Sequence, residues 1–313
     1  MIDRSVQTIL QPVLVFLKQG DLEQALTSLE RLLEQDLENP QVMYTLKGVS
    51  FWLERVRYSQ TFSDDFLRGE YLIAQWKPFL DYIKKGGDFN EPIIYALKCS
   101  VFTIALHLYQ SLLTEPETVH NTAEIYRKTG LCYKALGDYE TAIRCLRYAA
   151  DMNTNSSAIL AELADAYALS GEVRLAKVFF REALFKGASE IEVCFLESEI
   201  FQALVTKAAS IGYTGEELLE WLPVYGTLDG MLNVKRELKA LELGKLKQSI
   251  YTLENELREK DTKNRRILIP RLINYYFWLI DHYINGNVEK SKVDEILLRI
   301  RLLDEKIYDC YIR

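Results

Sequence analysis

A constant spacing constrains this chain more than any other feature of its sequence. Tyr133 and Tyr167, Gly137 and Gly171, Ala142 and Ala176, Leu146 and Phe180, and Ala149 and Ala183 each lie 34 positions apart. A fixed interval of that length is the mark of one supersecondary unit used twice. In each copy a glycine follows the first apolar-periodic stretch, where a residue of positive φ closes a helix. Asp138 and Glu172 come next and set a carboxylate at the positive end of a second helix. The unit is therefore two helices and a tight turn. Its small residues, Gly130 and Ala164 with Ala142 and Ala176, sit where the paired helices approach. The larger Tyr133, Tyr167, Leu146 and Phe180 fill the gaps between them. Such a unit cannot bury its apolar face alone, so its copies must stack.

The stretch Tyr126-Arg-Lys-Thr-Gly-Leu-Cys-Tyr-Lys-Ala-Leu-Gly-Asp-Tyr-Glu-Thr-Ala resembles the tetratricopeptide signature. The resemblance implies an all-α fold, a right-handed α-α superhelix (solenoid) of antiparallel helix pairs with a concave groove lined by the first helix of each pair. It is specific over residues 122–190. Residues 1–88 carry a divergent version, with Gly20 and Ala25 at the turn and small-residue positions and Asn39-Pro40 ending the first pair. Tyr44, Gly48 and Phe51 open a second pair, whose second helix is expected over 65–85. Residues 89–121 hold a long helix, 93–113, and a connection. In 191–230 a third first helix is expected over 191–211, then a short helix ending near Pro223 and an irregular link. Residues 231–313 are expected to form the pairs 231–243 with 245–260 and 267–285 with 288–308, with Gly244 and Gly286 at the turns.

Composition narrows the function. The chain is 49% apolar and 27% charged, enough for a core. Glycine (15) and proline (7) are scarce, which argues against a turn-rich β fold. A net charge of −7 disfavours nucleic acid as a partner. The five cysteines, an odd number without short paired spacing, fit a reducing compartment. Cys132 and Cys145 read as small buried apolar groups. The N-terminal stretch is amphipathic and lacks a basic region followed by an unbroken apolar run, so a cytoplasmic location is expected. Residues 93–113 are long enough to span a bilayer, but Lys98, His107 and Gln110 favour a buried helix over a membrane span.

The residues do not suggest catalysis. His107, His120 and His282 have no metal spacing with one another or with the cysteines, and no glycine-rich loop has the strand–loop–helix setting of a phosphate site. No cofactor is expected, and the chain is read as a non-catalytic interaction scaffold.

Carried onto this sequence, the family's groove pattern places Glu124, Arg127, Leu131 and Lys134 on the concave face of one repeat. Ala158, Ala161, Asp165 and Ala168 follow in the next, then Glu192, Phe195, Glu199 and Gln202. Val42, Thr45, Val49 and Trp52 form the N-terminal set. The family's two-carboxylate clamp uses lysines and asparagines at such positions. Leu131 and Asp165 replace the asparagines here and Phe195 a basic residue, so capture of an acidic C-terminus is disfavoured. What remains is a groove of small residues, aromatics and mixed charge, suited to a peptide or helix of a partner. The alternative is an aromatic-lined pocket for a small apolar ligand.

Tyr275-Tyr276-Phe277-Trp278 cannot all face one side of a helix, which makes the C-terminal pairs an expected self-association surface. Leu243, Leu246, Ile250, Leu253 and Leu257 follow a 3–4 spacing that reads as the buried face of a repeat helix before it reads as a coiled coil. The basic stretch 258–271 (Arg258, Lys260, Lys263, Arg265, Arg266, Arg271) reads as a solvated helix end.

Overall fold

The computed structural model describes residues 4–36, 38–84, 90–114, 122–233, 236–259, 264–287 and 289–312. The protein is all-α, with no strand among the described residues. It forms two compact units, Met1–Asn153 and Thr154–Arg313. That boundary falls between the two clear repeats and divides the segment 122–190. Unit 1 comprises α1 (Arg4–Lys18), α2 (Leu22–Gln35), α3 (Pro40–Ser59), α4 (Asp65–Ala74), α5 (Trp76–Lys84), α6 (Glu91–Thr114), α7 (Thr122–Ala135) and α8 (Tyr139–Met152). Unit 2 comprises α9 (Ser157–Leu169), α10 (Val173–Gly187), α11 (Glu199–Ile211), α12 (Gly215–Leu228), α13 (Ala240–Arg258), α14 (Arg265–Asn285), α15 (Lys290–Leu303) and α16 (Glu305–Ile312).

One turn recurs between paired helices. Gly137, Gly171 and Gly20 have φ of 86°, 89° and 82°, the left-handed region where a side chain is strained. The next residue in each case, Asp138, Glu172 or Asp21, donates its backbone N–H to the carbonyl of Tyr133, Tyr167 or Phe16. This satisfies a carbonyl that the helix end leaves open. Asp138 and Asp21 also accept the backbone N–H of Thr141 and Gln24 and so cap the next helix. Glu172 makes no such bond. Between the paired helices, a Cβ at Gly130 would lie 2.6 Å from Leu146 Cγ and 3.2 Å from the Ala142 carbonyl. Ala142, Leu146 and Ala149 are buried behind it, as are Ala164, Ala176 and Phe180 in the second repeat.

Each unit is organised on one helix with an apolar surface on nearly all sides. In unit 1 this is α6, which packs on α1, α3, α4 and α7. Its N-terminal half meets Gly48 through Leu97 and the α1–α2 turn through Thr103 and Ile104. Further along, Phe102 lies edge-on to Trp76, and Tyr109 lies so close to Gly69 that a Cβ there would be 2.6 Å from its ring. α6 is the one described helix long and apolar enough to cross a membrane, and 67% of that apolar window is buried inside the protein. In unit 2 the organising helix is α14, packed on α12, α13 and α15.

Several element boundaries differ from the sequence expectation. The helix expected over 65–85 is two helices broken at Gln75, and the break seats Trp76 among Trp52, Phe79 and Phe102. The helix expected over 191–211 starts only at Glu199; 3-10 turns at Ala188–Glu190 and Val193–Phe195 precede it. α12 does not end near Pro223 but runs to Leu228, since Trp221, Leu222 and Val224 are buried and hold it against the proline's cost of ~3 kcal/mol. Among residues 231–239, those described form no helix. Leu232 and Leu238 are buried, and Leu238 gives its backbone N–H to His282 Nδ1 rather than to a helical carbonyl. Gly244 lies inside α13 and makes no turn. The helix expected over 288–308 is split at Asp304, whose carboxylate caps α16 by accepting the N–H of Ile307.

Gly130→Ala tests the helix crossing. The added methyl meets backbone as well as Leu146, so we expect a loss of about 1–3 kcal/mol in chemical denaturation despite alanine's better helix propensity.

Candidate functional site

The residues assigned to a groove are mostly inside the protein. On α7, Arg127 is 6% and Lys134 3% exposed, and Leu131 is buried with them. Arg127 donates to Glu124 through Nε and Nη2 at 2.6–3.0 Å. Lys128 Nζ lies 3.0 Å from Glu70, which also accepts the Tyr109 hydroxyl at 2.7 Å. Burial, then the Glu70 charge, pushes the Tyr109 hydroxyl pKa far up. Arg127, one of the cations that resembled carboxylate-binding groups, thus holds a carboxylate of its own helix. Charges taken out of water need such partners.

The N-terminal set fails for a related reason. Val42, Thr45, Val49 and Trp52 are buried, and Trp52 stacks on Trp76 at 6.1 Å and packs on Phe79 at 5.3 Å. The inserted α5 occupies the face that a peptide was expected to use.

In unit 2, Ala161 and Asp165 are buried, while Ala158 and Ala168 are half-buried. Both Asp165 oxygens accept the Glu197 N–H and one also accepts that of Ser198, at 2.8–3.1 Å. This carboxylate pins the chain ahead of α11 and sets where that helix begins. Phe195 is buried in a 3-10 turn, so it is no groove floor, whereas Glu192, Glu199 and Gln202 are exposed. The set is not in one helical register.

The C-terminal aromatics are core, which corrects their reading as a self-association surface. Tyr276, Phe277 and Trp278 are buried and Tyr275 is half-buried. Tyr276 donates its hydroxyl to Glu254 of α13, Phe277 stacks on Tyr311 of α16 at 4.6 Å, and Trp278 stacks on Phe185 of α10 at 4.2 Å. Four consecutive aromatics do point in different directions, but neighbours cover each direction. The leucine spacing on α13 is likewise spent inward: Leu246, Ile250, Leu253 and Leu257 are buried in the same core. His107 is exposed and His282 accepts from Leu238, while His120, Lys260 and Lys263 lie outside the described residues.

The residues that do face a solvent-open concavity lie elsewhere. A cleft of about 390 Å³ runs between α13 and α15 over α14. Tyr251, 66% exposed, and Tyr283 offer aromatic walls. The carboxylates inside are engaged: Arg299 donates to Glu254 at 2.7 Å and to Glu295 at 2.6 Å, and Tyr276 donates to Glu254. Hydrogen bonding to Glu295 raises the Arg299 pKa further, and burial followed by the Glu254 bond raises that of Tyr276. Lys247 lies over the Tyr283 ring at 5.7 Å, and neither it nor Lys292 forms an ion pair among the described residues. The lining carries three cations against two carboxylates. Sequence reasoning missed this cleft because α13 and α15 carry no motif, and only the 3–4 leucine spacing marked one face of α13. A second depression of about 350 Å³ in unit 1 is lined by the α1–α2 turn, α3 and Ile104.

Helix pairs closed by left-handed glycine turns and crossing at small residues define a helical-repeat protein. The family model for the tetratricopeptide repeat matches residues 123–156, which are α7, α8 and their turn. The chain is a tetratricopeptide-repeat-containing protein, and repeats of this kind are protein-interaction modules. A comparison with curated proteins gives no match.

Two measurements check these assignments. Asp165→Ala strands two backbone N–H groups and should cost roughly 1–3 kcal/mol in urea denaturation, whereas Glu199→Ala should stay within about 0.5 kcal/mol. Glu242 accepts from Arg236, which also holds Glu182, and these bonds lower the Glu242 pKa below its ordinary 4.5. Its contribution to stability is therefore complete above that value and is lost as pH falls through the lower folded one. Glu242→Gln should flatten the acid limb of a melting-temperature profile below pH 4.5.

Proposed function

We propose that the chain is a non-catalytic scaffold that holds a partner protein, and that the α13–α15 cleft takes a short segment in which an acidic side chain sits beside an apolar one. The observation that carries this reading is the charge balance of the cleft. Its two carboxylates share the Arg299 guanidinium, Glu254 also accepts the Tyr276 hydroxyl, and Lys247 and Lys292, without ion pairs among the described residues, leave the lining one positive charge in excess. In a chain of net charge −7, such a locally basic cleft favours an acidic segment over the rest of the surface. Tyr251 adds rigid contact area at little entropic cost. The lysine, glutamate and tyrosine polar groups on the walls suit a peptide better than an apolar small ligand. The odd number of cysteines supports the cytoplasm as the setting.

Tyr251→Ala combined with Lys247→Glu and Lys292→Glu alters only groups that hold no packing in the core. The triple variant should keep its melting temperature and lose recovery of co-isolated partners about tenfold or more. Partner recovery equal to that of the unaltered chain would sink the assignment of the cleft.

A further inference from the structure

The depression of unit 1, about 350 Å³, has an apolar floor and a charged rim. Leu22 and Leu53 are buried beneath it, and Val56 and Ile104 are half-buried at its sides. Its ionic groups are Asp21, Glu23 and Arg57. Arg57 donates to Glu23 at 2.9 Å, with the two side chains 65% and 62% exposed. Asp21 forms no ion pair among the described residues; one of its oxygens accepts the Gln24 N–H at 2.9 Å and the other accepts no hydrogen bond there. The lining therefore carries one negative charge in excess. Lys18, the last residue of α1, lies over the Tyr95 ring at 5.8 Å and does not line the depression. Helix ends add to the same sign. α1 and α3 both stop here, Gln19 and Gln60 being the residues that follow them, and a helix C-terminus is the negative end of its dipole. The positive end of α2 is already met by its Asp21 cap.

We propose that this depression seats a lysine side chain of a partner's segment, its methylenes on the apolar floor and its ammonium at Asp21. Leu22, Leu53, Val56 and Ile104 offer the contact that a charged side chain gives its stem while the head stays in water. The open Asp21 oxygen suits the point charge of an ammonium. The planar arginine fork draws its advantage from two acceptor oxygens side by side, and one oxygen here is engaged as a helix cap. An acidic guest would meet the excess negative charge, and an aliphatic one would leave that charge unused. That the lysine belongs to another protein rests on the scaffold reading; the affinity of the depression for the side chain does not.

The test uses the full-length chain and a free probe, N-acetyl-lysine N-methylamide, with its norleucine and glutamate counterparts as controls. The Ile104 δ-methyl resonance, assigned by its loss in Ile104→Val, should shift saturably with the lysine probe. Norleucine, which keeps the stem and lacks the charge, should bind about threefold more weakly, the size that an exposed ion pair supports. Glutamate should give no saturable shift. Asp21→Asn removes the charge and keeps a good helix cap, so it should bring the lysine probe down to the norleucine level. Arg57→Gln should strengthen lysine binding by a similar factor and leave norleucine unchanged. An Ile104 methyl that no probe moves, equal affinity for lysine and norleucine, or indifference to both substitutions overturns the proposal. If Asp21→Asn does not fold, Glu23→Gln removes the same charge from an exposed position and takes its place. A negative titration leaves the α13–α15 reading standing, and failure of that cleft leaves the affinity of this depression standing.

Discussion

A helix that is apolar on all sides has to be surrounded, and that requirement organises both units of this protein. α6 and α14 each present more apolar surface than one partner helix can cover. α6 is met by α1, α3, α4 and α7, and α14 by α12, α13 and α15, with Phe185 of α10 and Tyr311 of α16 closing the remaining sides. Helix pairs of the repeat type supply the walls, since each exposes one apolar face that it cannot bury itself. Contacts across these central helices are aromatic and close-packed, and a buried aromatic side chain contributes on the order of 3–5 kcal/mol by truncation. The polar groups that enter the walls must then be paired. Arg127 with Glu124, Lys128 with Glu70, and Arg236 with Glu182 and Glu242 follow from this.

The parts of the fold fixed by local chemistry were legible in the sequence. Gly137, Gly171 and Gly20 announce left-handed turns because few other residues tolerate that backbone, and Gly130 announces a close crossing because a Cβ there would press on Leu146 and the Ala142 carbonyl. The parts fixed by tertiary contact were not. Pro223 reads as a helix stop, yet Trp221, Leu222 and Val224 hold α12 together around it. Residues 231–239 contain helix formers, but the backbone N–H of Leu238 goes to His282 of α14 and that of Lys239 to Glu242 in the first turn of α13. α6 was legible as a long buried helix but not as a member of a repeat pair, because a helix buried on nearly all faces has no amphipathic period to show which neighbours it meets.

The transferred groove positions did not meet an open face. Groove positions transferred from a repeat family assume that the first helices face open solvent. Here α5 lies on Trp52, and Arg127 and Lys128 of α7 hold carboxylates of their own unit. Arg127 and Asp165 looked like ligand-binding groups because a charge on a helix face carries no sign of whether the fold or a partner will satisfy it. The aromatic run on α14 misled in the opposite way. Its residues do diverge in direction, and periodicity alone gives no count of the helices waiting on each side.

α14 lines two concavities of unit 2. Successive residues of an α-helix are rotated by about 100°, so Tyr276 can face the α13–α15 cleft while Asn274 and Tyr275 face the pocket beside α10 and α12. The two concavities are then fixed to one helix whose side chains are held by packing on its neighbours. A segment seated in the α13–α15 cleft would meet little ordering cost on the α14 side of the interface. The same aromatic packing that removed α14 as an adhesive surface therefore makes it a rigid mount.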